Sequence, residues 1–140
     1  MAKAAYQCQV HSDFNRLWDV LLDEIEHPDK YNPGIKGVKI IERFNNGVLR
    51  CISVPDAEVR ERITFRYEEG EITSTLVGHP QLEGCIRKLV KNTDLGTTLE
   101  SFIEWQSTDD NVDQMLRRNV ENFIMNGLGQ VKIVAENITC

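Results

Sequence analysis

The sequence has little of what most catalytic and nucleic-acid-binding sites are made from. It holds only three histidines, His11, His27 and His79. None stands four residues from another or beside a second ligand type at metal spacing, so no metal is expected. The four cysteines, Cys8, Cys51, Cys85 and Cys140, are scattered, with no CxxC pair. That favours reduced thiols in a cytoplasmic protein over a disulfide framework, with Cys8 and Cys85 packing as small apolar groups. Basic clusters are missing too, and the net charge is -6. Nucleic acid and anionic membrane surfaces are therefore poor partners, since both attract concentrated positive charge. No apolar run approaches the length of a membrane span, and "MAKAAYQCQV" lacks the apolar stretch of a secretory signal. Asn137-Ile138-Thr139 matches a glycosylation sequon, which without such a signal reads as chance. No nucleotide fingerprint, phosphate loop or Ser/His/Asp order is visible. "GLG" near the C-terminus lies in a helical pattern and follows no strand. No cofactor is expected.

What remains is an ordinary globular composition, 41% hydrophobic and 27% charged over 140 residues. That length suits one domain, residues 1–140, able to bury about two thirds of its unfolded surface. No repeat or linker divides it.

The pattern predicts a strand over Ala4–Val10, then a helix capped by Ser12 and running to about Glu26. Phe14, Leu17, Trp18, Leu21, Leu22 and Ile25 form its apolar stripe, and His27-Pro28 ends it. Strands follow in hairpin order. Gly37–Phe44 turns at "NNG" into Val48–Val54. "PDAE" leads into Val59–Tyr67, and "EEGE" into Ile72–Gly78. After the loop "HPQLEG", Cys85–Lys91 pairs with Thr98–Gln106. Asp109 or Asp110 caps a final helix whose stripe is Val112, Leu116, Val120, Phe123, Ile124, Val131 and Val134. Gly127 and Gly129 each weaken that helix by roughly 1 kcal/mol relative to alanine. The stripe resumes in phase after them, so a continuous or mildly kinked helix is expected. The order is strand, helix, six strands, helix. Short turns make the strands an antiparallel meander with one face for two amphipathic helices to cover.

Polar residues on apolar strand faces are the candidates for chemistry. In "EVRERITFRY", Glu61 shares a face with Val59, Ile63, Phe65 and Tyr67. Glu42 shares one with Val38, Ile40 and Phe44, and Arg50 one with Val48, Ile52 and Val54. If "NNG" is a three-residue turn, Glu42 faces Arg50 and Ile40 faces Ile52. If Val54 then faces Val59, Ile52 faces Glu61 and Arg50 lies diagonal to Glu61, within reach. The three charges either form a cluster on a cavity face or a wet ion-pair cluster near the sheet edge. A one-residue slip would break the pairs. By contrast Ile86, Val90, Leu99, Ile103 and Trp105 read as an inner face, with Arg87, Glu100 and Glu104 opposite as a solvated ion-pair face. His79 is a loop histidine near the expected mouth, or a proton shuttle. Tyr6, Trp18, Tyr31, Phe65, Tyr67 and Trp105 are either plain core or pocket lining.

The segment "HSDFNRLWDVLLDEIEHPDKYNPGIKGVKIIER" resembles the opening signature of the START-like, or SRPBCC, superfamily, with Trp18, Pro28, Tyr31 and Pro33 in the matching places. "DDNVDQMLRRNVENFIMNGLGQVKIVAEN" is similar to its C-terminal helix. The chain most resembles a small bacterial or fungal branch loosely related to polyketide-cyclase-like proteins. The resemblance implies an α+β helix-grip fold: a curved antiparallel sheet of about seven strands wrapped around the long C-terminal helix, with the other helix between the first two strands. It implies a hydrophobic pocket between sheet and helix and carries no catalytic motif.

Three readings follow. The first is binding of a small hydrophobic or aromatic molecule by a monomer or homodimer, without stable membrane insertion. Arg50, Glu61, Glu42, Phe65, Tyr67, Trp105, Phe123 and Gly127 are the candidate ligand-binding residues. The second is a cyclase, aromatase or dehydratase in which Glu61, its pKa raised by burial, is the acid or base. The third is an interaction protein with a filled core.

Overall fold

The computed structural model describes residues 2–55, 57–94 and 96–136. Its elements are β1 (Ala2–Val10), α1 (Phe14–Glu26), β2 (Gly37–Phe44), β3 (Gly47–Val54), β4 (Ala57–Arg66), β5 (Glu71–Val77), β6 (Leu82–Thr93), β7 (Gly96–Ser107) and α2 (Asp110–Glu136). The seven strands form one sheet in the order β1-β7-β6-β5-β4-β3-β2, every neighbouring pair antiparallel. This is the expected meander, extended at one edge by β1, which pairs with β7.

Local chemistry explains the boundaries. Asp13, one residue later than expected, caps α1: its Oδ1 accepts from Arg16 N at 2.7 Å. The Ser12 hydroxyl instead donates to the Asp13 carbonyl. Asp109 caps α2, accepting from the amides of Asn111 at 2.8 Å and Val112 at 3.2 Å. α2 runs unbroken through Gly127 and Gly129. Gly70 turns β4 into β5 at φ 64°, where a Cβ would meet the Val90 carbonyl oxygen at 2.5 Å. Only glycine meets both conditions without strain. β6 begins at Leu82 rather than Cys85, so the loop before it is shorter than the sequence suggests.

Two hairpin registers differ from expectation, and both matter for the site. Asn45-Asn46 is a two-residue turn, so Phe44 pairs with Gly47. A bulge at Ile41 then shifts the ladder: Ile40 faces Arg50 and Glu42 faces Leu49. The inserted residue breaks the alternation, and Glu42 passes to the exposed outer face. In the next hairpin Val54 faces Ala57, which sets Arg50 directly opposite Glu61 and Ile52 opposite Val59.

α1 buries Leu17, Trp18, Val20, Leu21 and Ile25; α2 buries Val120, Ile124, Leu128, Val131 and Ala135. The two helices pack on each other, and α2 packs also on β1 and β7. The Arg16 guanidinium donates to the Val134 carbonyl across the helix pair at 2.9 Å.

The segment after α1 is anchored by Tyr31, which is 1% exposed. Its hydroxyl donates to Asp23 Oδ2 at 2.6 Å. This hydrogen bond, with help from Lys30, holds the Asp23 carboxyl below its ordinary value of 3.8. The contribution to stability is therefore present above the unfolded pKa and disappears as pH falls through the lower folded one. Tyr31→Phe is expected to raise the Asp23 pKa towards the ordinary value and to shrink the loss of stability on acidification. A carboxyl-detected NMR titration of both proteins checks it.

Candidate functional site

The inner sheet face and the two helices do not meet everywhere. Between α2 and strands β3–β7 lies a cavity of about 430 Å³. Its wall is largely apolar: Ile52, Ile72, Ile86, Ile103, Leu116 and Trp105 are among the side chains that line it. The core is thus not filled at this end of the molecule. Trp105 is fixed by its indole N–H, which donates to Asp113 Oδ1 at 3.0 Å, tying β7 to the first turn of α2. Phe123 lines the cavity and is 49% exposed, which places it at the mouth. Gly127, one turn further along α2, also lines it, and a Cβ there would meet nothing within 4 Å.

Five charged residues line the cavity: Glu104, half-exposed at the rim, and four that are set into the apolar wall in two pairs. Arg50 Nη2 donates to Glu61 Oε1 at 3.2 Å. Its Nη1 donates to the carbonyls of Ile25 at 2.7 Å and Glu24 at 3.2 Å. Those carbonyls belong to the last turn of α1, where they lack helical partners and where a cation is favoured. Glu61 Oε2 accepts from the Ser74 hydroxyl. The second pair is Lys88 with Glu24. All four side chains are mostly withdrawn from water, at 10% and 13% exposure for the first pair and 23% and 15% for the second. Buried charge of this kind persists only when paired and hydrogen-bonded.

The expected site residues fall into two groups. Arg50, Glu61, Trp105, Phe123 and Gly127 all line the cavity. Glu42, Phe65 and Tyr67 do not. Glu42 is carried outward by the bulge at Ile41. Phe65 pairs with Ile72 and packs into the core. Tyr67 leaves the strand for a short 3-10 turn and is 52% exposed. There its ring stands edge-on to Phe14 and Trp18, and its hydroxyl donates to Asn15 Oδ1. His79 Nδ1 accepts from the Gln81 amide at 3.1 Å and so braces its own loop. Cys8 packs against the core, and burial pushes its thiol up. Burial, and then the Glu104 carboxylate, does the same to Cys85. Cys140 and the sequon residues lie outside the described residues.

Sequence reasoning missed Glu24, Ser74, Lys88 and Ser101. Lys88 and Ser101 are cross-strand neighbours on the inner face, flanked by the Ile86–Ile103 and Val90–Leu99 pairs. The sequence carries the signal: both residues share the parity of Ile86, Val90, Leu99 and Ile103.

No family model matches the sequence, and no curated protein is similar enough to match it. Solved structures do match. The Zhui aromatase/cyclase of a Streptomyces species superposes with a TM-score of 0.81 over 96% of this chain and 93% of that one, at 16% identity. Ara h 8.0201 gives 0.69 over 93% and 97%, at 12% identity. The fold is the helix-grip fold. The di-domain aromatase/cyclase StfQ, from steffimycin biosynthesis, also contains it: the TM-score is 0.82 over 96% of this chain and 50% of StfQ, at 14% identity. In this helix-grip chain the gripped helix is α2, and the grip is incomplete where the cavity lies. Among the described residues no helix is long and apolar enough to cross a membrane.

Proposed function

We propose that the protein binds one small molecule with an apolar or aromatic body in the cavity between the sheet and α2. The observation that carries this reading is the cavity itself: about 430 Å³, within the range of small-molecule sites, apolar in its wall with few polar groups. The Zhui and StfQ proteins, which share the architecture, are aromatase/cyclases by name. That likeness supports a small-molecule site and leaves the chemistry to the residues. Both oxygens of Glu61 are already engaged, by Arg50 and by Ser74. Binding is therefore a better account of this carboxylate than proton transfer in a cyclase or dehydratase.

A thermal-shift and calorimetric screen of two- and three-ring aromatics and medium-chain lipids tests the reading. A true ligand at 100 times its Kd stabilises the folded state by about 2.7 kcal/mol. Saturable one-to-one binding with that stabilisation is the expected result. A complete panel without a binder would end the proposal.

A further inference from the structure

The inward polar groups also say what kind of molecule the cavity takes, an inference that rests on the binding reading above. Charge is the first observation. Arg50 is offset by Glu61 and Lys88 by Glu24. Glu104 also borders the cavity, but its carboxylate pairs with Lys3 at 3.7 Å. The site therefore holds no surplus cation to compensate a buried anion, and no surplus anion to hold a cation. Isolated buried charge is expensive, so a charged ligand end is disfavoured.

Hydrogen-bonding capacity is the second observation. Ser101 is 1% exposed, lines the cavity, and its hydroxyl has no hydrogen-bond partner among the described residues. Arg50 is 8% exposed, lines the same cavity, and its Nε–H is likewise unpartnered. Beside Ser101 stands Lys88, whose ammonium has three N–H donors and, among the described residues, gives one hydrogen bond, to Glu24. Such unsatisfied buried groups are rare in proteins and call for a partner. Among the unpartnered buried groups here donors prevail: Arg50 Nε–H can only donate, Ser101 can donate, and Glu61 has both oxygens taken. A partner that matches them offers acceptors.

We propose that the ligand is a neutral molecule with an apolar body and at least one carbonyl-type oxygen, and that Lys88 and Ser101 hold that oxygen. Ser101 donates its hydroxyl proton to it, and Lys88 supplies a second donor without leaving Glu24. Their neighbours Ile86 and Ile103 take the apolar body.

Isothermal calorimetry with three probes of one skeleton tests this: 2-acetylnaphthalene, 2-ethylnaphthalene and 2-naphthoate, at pH 7.5. The ketone is expected to bind best, with the hydrocarbon about fivefold weaker for each hydrogen bond lost and the carboxylate at least about tenfold weaker. Ser101→Ala should weaken the ketone about fivefold and leave the hydrocarbon unchanged. Lys88→Met combined with Glu24→Gln, which strands no charge, should do the same. A carboxylate that binds as tightly as the ketone overturns the proposal. So does hydrocarbon binding equal to the ketone, or a Ser101→Ala loss that is the same for both; in these cases the cavity reading stands. If none of the three binds, this proposal falls, and the wider panel above decides the cavity reading.

Discussion

Glu61→Ala is expected to cost about 3–5 kcal/mol of stability, a large share of what a domain of this size has. The removed carboxylate is the counter-ion of Arg50, whose side chain is only 10% exposed. The guanidinium cannot turn out to water without giving up the Glu24 and Ile25 carbonyls it caps. It would stay buried, charged and uncompensated, and the Ser74 hydroxyl would lose its acceptor as well. Replacing both members, Arg50→Met with Glu61→Leu, should recover much of the loss, because an apolar pair of similar volume often substitutes for a buried ion pair. It should not recover all of it, since the α1 carbonyls would still lack their donor. Urea unfolding of the unsubstituted protein and the two variants at constant m-value reads the comparison. A loss below about 1 kcal/mol for Glu61→Ala would mean a solvated pair, which contributes no more than that.

The second large effect is expected on ligand affinity, from Gly127→Trp. Gly127 faces the cavity with open space where a side chain would begin. A tryptophan there would occupy the volume a ligand needs. Affinity for 2-acetylnaphthalene should fall by about five- to 150-fold, as overpacking costs of about 1–3 kcal/mol imply. Stability should not fall, because glycine is the weakest ordinary helix former and its replacement adds a few tenths of a kcal/mol or more. Gly129→Ala is the control. A Cβ there also meets nothing within 4 Å, but Gly129 does not line the cavity. It should gain stability and leave affinity unchanged. Calorimetry and urea unfolding on the two variants separate the outcomes. A Gly127→Trp protein that is destabilised by more than 1 kcal/mol, or that binds normally, would place the ligand elsewhere or the cavity closed.

The sequence made the architecture legible because hydrophobic period is a strong signal in long elements. The α1 stripe, the α2 stripe through two glycines and the short turns between strands all carried it. Registers were less legible. A bulge adds one residue without any compositional mark, so nothing in "GVKIIERF" distinguishes Ile41 as the inserted residue. That single event moved Glu42 from the expected inner cluster to the outer face. Glu61 was legible because it interrupts an otherwise apolar face. Lys88 and Ser101 interrupt their faces in the same way, and only the pairing of Lys88 with Glu24 shows what the interruption is for. Glu24 was hidden for a different reason. It comes from a helix, and which helix residue reaches across to a strand depends on packing that periodicity does not encode. Tyr67 failed as a site residue because the strand stops at Arg66, and the following 3-10 turn rotates the ring onto Phe14 and Trp18.

The most direct measurement is a set of intermolecular NOEs between methyl-labelled protein and bound 2-acetylnaphthalene. Contacts are expected to the methyls of Ile72, Ile86, Ile103 and Leu116, which line the cavity from the sheet and from α2. Contacts confined to Met115, Met125 and Ile133, apolar side chains exposed on α2 and outside the cavity lining, would contradict it.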